Sequence, residues 1–295
     1  MISRINFNKM KHFFGFLFLC TLLASCTKED IDTTPSNLPE KEIINVAYGN
    51  DPQQKFDIYL PQGRTKNITK VFILIHGGGW TSGDKSDFNG GIPVLKSAYF
   101  PDYAIVNINY ILGNTATGHY ALPDQINDIQ KVIDFITSNA DEYNIKPEFV
   151  LCGHSAGAHL SMYYAYSKNN PAVKAVISLA GPTDFEDPFY ANNIIWQFLL
   201  GGLVKPDNIP SGMTMLKYAS PVTWITNTST PTIAFFGSTD SLVPVNEQKT
   251  RLDAKFAQVN RPYESYVWNG DHNAYGLEPQ LSDVITKSKA FLKKL

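Results

Sequence analysis

The sequence predicts an α/β fold: one mostly parallel central sheet with helices on both faces. Three observations carry that expectation. Short runs that are apolar at nearly every position recur along the chain, as in strands covered on both sides. Stripes of apolar residues three and four apart alternate with them, as in helices lying on a sheet. The 295 residues are 43% hydrophobic and 18% charged, the balance of an ordinary globular domain.

The first element is an address rather than part of the fold. Arg4, Lys9 and Lys11 precede an apolar run from Phe13 to Leu23, which suits a signal-peptide core and is too short to span a bilayer as a helix. Leu23-Ala24-Ser25-Cys26 follows and resembles the bacterial lipoprotein box. That resemblance implies that residues 1–25 are removed, that Cys26 is lipidated, and that the membrane is a partner through this lipid. Residues 27–42 are polar, hold two prolines and show no apolar period, so they read as a flexible tether. Glu29-Asp30 soon after Cys26 resembles lipoproteins of the outer membrane of Bacteroidetes-type bacteria, which points to the cell envelope.

Residues 43–295 show no repeat and no second linker, and read as one domain. Ile43–Tyr48 and Lys55–Leu60 look like an opening hairpin. Val71–His76, Tyr103–Tyr110, Phe149–Cys152, Ala175–Ala180, Thr232–Gly237 and Tyr263–Trp268 are the buried-strand candidates. Between them, Ile126, Ile129, Ile133 and Ile136 mark the clearest helix, after Pro123. Leu160 with Tyr163 and Tyr164, Gln248–Gln258 and Leu281–Leu292 supply others. This alternation implies right-handed crossovers, with chemistry in the loops at the carboxyl ends of the strands.

Two of those loops carry strong signals. Phe149–Cys152 runs into Gly153-His154-Ser155-Ala156-Gly157 and then a helical pattern. G-x-S-x-G in a strand, sharp turn and helix presents the serine on a strained turn, the flanking glycines removing side chains that would collide. His76-Gly77-Gly78-Gly79-Trp80 ends another strand. Its glycines can offer backbone N–H groups to an oxyanion without obstruction. The G-K-S or G-K-T order of a phosphate loop is missing, since Asp84 separates Gly83 from Lys85-Ser86.

HGGGW, NINY, GHSAG, GPTD, GSTD and a late GDH together resemble the α/β-hydrolase fold, and within it the hormone-sensitive-lipase-like carboxylesterases, with feruloyl and acetyl-xylan esterases among the relatives. The resemblance implies that Ser155 is the nucleophile, that Asp240 and His272 complete a triad, and that the N–H groups of Gly78, Gly79 and Ala156 form the oxyanion hole. The residue chemistry agrees, because a serine hydroxyl attacks only when a base takes its proton and a carboxylate fixes the imidazole tautomer. Asp184, in Gly181-Pro182-Thr183-Asp184, is the rival acid. Asp271 adjoins His272, but neighbouring side chains diverge. Asp128 reads either as a loop brace or as a surface carboxylate. Tyr110-Ile111-Leu112 stands where relatives often have YRL, a departure that concerns an internal Arg interaction.

Phe185–Leu203 is rich in aromatic residues and reads as a small cap, with Trp80, Phe185 and Trp196 as candidate substrate-binding residues. No HExxH, CxxC or His cluster appears, so no metal and no cofactor is expected. Lys and Arg total 25 against 27 Asp and Glu, with no basic stripe, which excludes nucleic acid as a partner. Three cysteines cannot form a disulfide framework. The expected activity is serine carboxylesterase action on a small-molecule or carbohydrate ester, such as acetyl or feruloyl groups on a polysaccharide. An amidase or peptidase on the same triad, and an inactive hydrolase-fold binding module, are the alternatives.

Overall fold

A computed structural model of the protein describes residues 33–295, the side chains of residues 98 and 99 excepted. The signal segment and Cys26 therefore lie outside the described residues. Eight strands form one sheet in the order β1-β2-β4-β3-β5-β6-β7-β8. They are β1 Lys41–Ala47, β2 Lys55–Leu60, β3 Val71–Ile75, β4 Ala104–Ile108, β5 Phe149–His154, β6 Val173–Leu179, β7 Thr232–Gly237 and β8 Tyr263–Trp268. β1 and β2 pair antiparallel and β2 pairs antiparallel with β4. From β4 to β8 every pairing is parallel.

Among the described residues five helices exceed seven residues: α1 Ile126–Ser138, α2 Ala156–Lys168, α3 Ile194–Gly201, α4 Val245–Val259 and α5 Gln280–Leu292. Strand period two divides the core into two faces. Val71, Ile73 and Ile75 of β3 and Phe149 and Leu151 of β5 join one cluster with Ile129, Ile133 and Ile136 of α1 and Leu160 of α2. Phe72 and Leu74, with Val150 and Cys152, join the other, against Ile92 and the Val284, Ile285 and Phe291 of α5. Apolar side chains thus leave both faces of the central strands, which is why those strands read as continuous apolar runs.

The expected tether is corrected at its end. Residues 36–40 are held on the domain: Ser36 N donates to Gly63 O and Gly63 N donates to Leu38 O. The cause is Arg64, 6% exposed, whose guanidinium must find acceptors where water is excluded. It donates to the carbonyls of Pro39, Pro61 and Tyr143. Lys41 and Glu42 then already belong to β1. No helix among the described residues is long and apolar enough to cross a membrane.

Candidate active site

β5 delivers Ser155 directly onto a turn. Its backbone stands at φ 54°, ψ −119°, outside the regions that side-chain-bearing residues favour, and α2 begins at the next residue. The turn is held by Ser155 N donating to Leu179 O at 2.8 Å and His159 N donating to Ser155 O at 3.0 Å. A Cβ at Gly153 would lie 2.2 Å from Gly157 C, and one at Gly157 would lie 2.0 Å from Ile75 O. Strand and helix therefore approach as closely as they do only because both positions are glycine, which brings the end of β3 beside the serine.

The loop after β3 turns at Gly78 and Gly79, with φ of 106° and 56°, conformations that glycine adopts at little cost. A Cβ at Gly79 would meet nothing within 4 Å, so the loop borders open space there. Among the described residues the N–H groups of Gly78, Gly79 and Ala156 donate to no protein acceptor. The Ala156 N–H is left over because the first N–H groups of a helix have no intrahelical partner. Three unpaired donors near a serine on a strained turn are what an oxyanion requires.

Several side chains fix this loop. Tyr110 Oη donates to His76 O at 2.9 Å and stacks on the His76 ring, centroids 4.2 Å apart. Gln125 Nε2 donates to Trp80 O at 2.7 Å and to Ile111 O at 2.9 Å. Trp80 Nε1 donates to His159 Nδ1 at 3.1 Å, and the opposite His159 nitrogen lies 2.8 Å from Ala219 O, which accepts. That arrangement needs the neutral ring with its proton on Nε2. Burial enforces it, lowering the His159 pKa to about 4. Asp128, with no exposed surface, accepts from Gln54 Nε2 at 2.6 Å and Ile111 N at 2.9 Å. It is a loop brace.

Asp240 follows β7 and His272 follows β8. Asp240 Oδ2 lies 2.6 Å from His272 Nδ1. Its Oδ1 accepts from Leu242 N and Val243 N at 2.8 and 2.9 Å. The loops are stitched together, Ser238 N donating to Trp268 O and Thr239 N to Gly270 O, both at 3.0 Å. The His154 ring stands 4.8 Å from the His272 ring, and its Nε2 lies 3.1 Å from His272 O. His154 is largely buried next to another histidine, and its pKa falls to about 4, burial being the larger cause. It is thus a neutral donor to the His272 carbonyl, tying the serine turn to the histidine loop. No hydrogen bond joins Ser155 Oγ to His272 among the described residues. Such bonds are often long before substrate binds.

The rival acid is engaged elsewhere. Asp184 Oδ2 accepts from Arg251 Nη1 at 2.8 Å and Oδ1 from Glu186 N at 2.9 Å. Asp271 Oδ1 accepts from Asn273 N in its own turn. Two of the three expected substrate contacts are corrected: Phe185 has no exposed surface and Trp80 is 5% exposed. Both are drawn inward by an aromatic chain, Trp80 to Phe185 at 5.9 Å, Phe185 to Tyr190 at 5.3 Å and Tyr190 to Trp196 at 4.9 Å. Trp196 alone of the three stays half-buried. Beside it, Phe198 of α3 is 82% exposed and borders a groove of about 1000 Å³ with Gln53, Thr81, Asn114, Thr115 and Gln197. Neither the groove nor the roles of Tyr110, Gln125, His154 and His159 were legible in the motifs.

A family model described as BD-FAE matches residues 56–256. Esterase LipC of Mycobacterium tuberculosis is 25% identical over 235 residues, 75% of this chain and 57% of that protein. The probable carboxylic ester hydrolase LipM of the same organism is 29% identical over 246 residues, 75% of this chain and 56% of its own length. The chain thus spans little more than half the length of these curated relatives. Among solved structures, one described as a truncated form of carbohydrate esterase from gut microbiota superposes with a TM-score of 0.68 at 21% identity, covering 87% of this chain and 99% of that one. The fold is that of α/β-hydrolases.

Proposed function

Because the chain belongs to the BD-FAE family, we propose that it is a serine carboxylesterase acting through an acyl-enzyme. In this reading Ser155 Oγ attacks the ester carbonyl carbon while His272 Nε2 takes its proton. Asp240 holds the proton on Nδ1 and stabilises the imidazolium as it forms. The carbonyl oxygen becomes an oxyanion that accepts from the N–H groups of Gly78, Gly79 and Ala156. The intermediate collapses as His272 returns the proton to the leaving alcohol. Water then attacks the acyl-enzyme with His272 as base, releasing the acid and restoring Ser155.

The observation that carries this reading is the Asp240–His272 pair at 2.6 Å tied through His154 to a serine on a strained turn. A single turnover with p-nitrophenyl acetate tests it. Acid-quenched protein should gain one acetyl group on the peptide containing Ser155, and acetyl on another residue or none at all would reject it.

For the substrate we propose acetyl or feruloyl groups on a polysaccharide or oligosaccharide. Support comes from the carbohydrate esterase with the same fold, and from a groove that combines amide and hydroxyl side chains with the exposed ring of Phe198. Acetylated and feruloylated oligosaccharides should be turned over with higher kcat/KM than p-nitrophenyl acetate, and equal or lower values would reject the assignment. Lipid anchoring in the cell envelope through Cys26 completes the proposal. It rests on the sequence of residues 1–26. Palmitate labelling that is lost in Cys26→Ser, with release of that variant to the soluble fraction, tests it.

A further inference from the structure

On the sheet face away from Trp80 and Phe185 lies a second hollow, a cavity of about 290 Å³. Its floor is Leu74, Cys152 and Leu179 of the sheet, α5 supplies Ser288, and Tyr275 of the histidine loop forms a wall. Well-packed proteins rarely leave so large an apolar hollow, because every missing contact forfeits dispersion energy. An apolar cavity of about 150 Å³ takes up benzene, so this one has room for a two-ring molecule.

Its polar groups are few and uncharged within. Ser288 is 2% exposed, and its Oγ finds no hydrogen-bond partner among the described residues. A buried hydroxyl left unpaired forfeits the hydrogen bonds it made to water, a loss that a partner brought in from outside would relieve. Cys152 is buried, and burial pushes its thiol up to about 12, so it stays neutral. The one charged residue of the lining, Asp87, is exposed and would repel a carboxylate.

We propose that this cavity is a second binding site, separate from the reaction site, for an uncharged and largely apolar molecule of about two rings that makes one hydrogen bond to Ser288. The site adjoins the reaction machinery without being part of it. The Tyr275 ring packs 4.5 Å from that of His154, the residue bonded to the His272 carbonyl.

The test is titration of the purified protein with N-phenyl-1-naphthylamine, an uncharged fluorophore that brightens in apolar surroundings. The expected result is a saturable one-to-one rise in emission. It should weaken at least tenfold in Ser288→Leu, which fills the cavity from α5, and in Val94→Trp, which closes its rim from a position 36% exposed. Should one variant fail to fold, the other decides. Absence of a saturable rise, or binding that both variants retain, would overturn the proposal. Loss of binding after a small fluorophosphonate has blocked Ser155 would overturn it too, by placing the probe in the reaction site. The variant arms do not involve Ser155, so failure of the esterase reading leaves them decisive.

Discussion

Replacing Asp240 by Asn probes the candidate triad most sharply, because the surrounding bonds dictate how the amide must sit. Asp240 Oδ1 accepts from the N–H groups of Leu242 and Val243. In Asp240→Asn the amide oxygen must take that place, which turns the NH2 toward His272 Nδ1. That nitrogen, now accepting, can no longer carry a proton, so the neutral ring is forced to hold its proton on Nε2 and cannot take one from Ser155. Loss of the correct tautomer in such triads costs about 10⁴ in kcat, or about 5.4 kcal/mol of transition-state stabilisation. The fold should hardly notice, since shape and both turn bonds persist. Thermal unfolding should move by less than about 4 °C, equivalent to about 1 kcal/mol in a domain of this size. The assay is steady-state hydrolysis of p-nitrophenyl acetate at pH 7.5, with thermal unfolding of both proteins. An Asp240→Asn enzyme within tenfold of wild type and equally stable would refute the assignment of the acid.

Asp184→Asn is the matched control: it should weaken the contact with Arg251 and lower stability by about 1 kcal/mol, with activity kept within tenfold. A fall as large as that of Asp240→Asn in the same assay would exchange the two roles. Gly157→Ala places a Cβ about 2.0 Å from Ile75 O and 2.4 Å from His76 O, so α2 must retreat from the oxyanion loop. A misplacement near 1 Å costs about 10²-fold in rate, and fluorophosphonate labelling as fast as wild type would show that the close approach is immaterial. His154→Phe removes the donor to the His272 carbonyl and should slow labelling, while His154→Gln, which keeps an N–H, should restore most of it; equal rates in the two would deny the positioning role. His159 has a folded pKa of about 4 against an unfolded value of about 6.5. Its contribution is therefore intact above pH 6.5 and declines as protons bind the unfolded chain below it, by about 2 kcal/mol between pH 6.5 and 5. Urea unfolding midpoints that do not fall across that range would contradict its burial as a neutral ring.

The strands were legible because their chemistry is local. β7 and β8 occupy the residues that the apolar runs marked, Thr232–Gly237 and Tyr263–Trp268. β7 is buried at every position, and its apolar run is that covering seen in one dimension, while β8 at the sheet edge is mostly half-buried and mixes aromatic with polar residues. Helix α3 was not legible as a helix: IIWQFLLG is apolar nearly all round, so no stripe marks its period. The end of the tether was misread for the opposite reason. Residues 36–40 look free in sequence, and what draws them in is distant: the buried Arg64, whose partners lie on Pro39 and Tyr143, and the backbone of Gly63. The site divides in the same way. The serine turn and glycine loop carry their geometry in adjacent residues. The supports do not: Tyr110 reaches His76 across 34 positions, and Trp80 reaches His159 across 79. Trp80 and Phe185 were taken for pocket walls because aromatic residues in a loop look available, whereas each is packed against the next ring inward.

The most direct test of the central claim is fluorophosphonate labelling of the purified protein, wild type against Ser155→Ala and His272→Ala, since the probe reports an activated serine without presuming a substrate. The account predicts rapid stoichiometric labelling of Ser155 in wild type, none in Ser155→Ala, and labelling at least 10³-fold slower in His272→Ala. Wild type that stays unlabelled, or His272→Ala that labels at the wild-type rate, would contradict it.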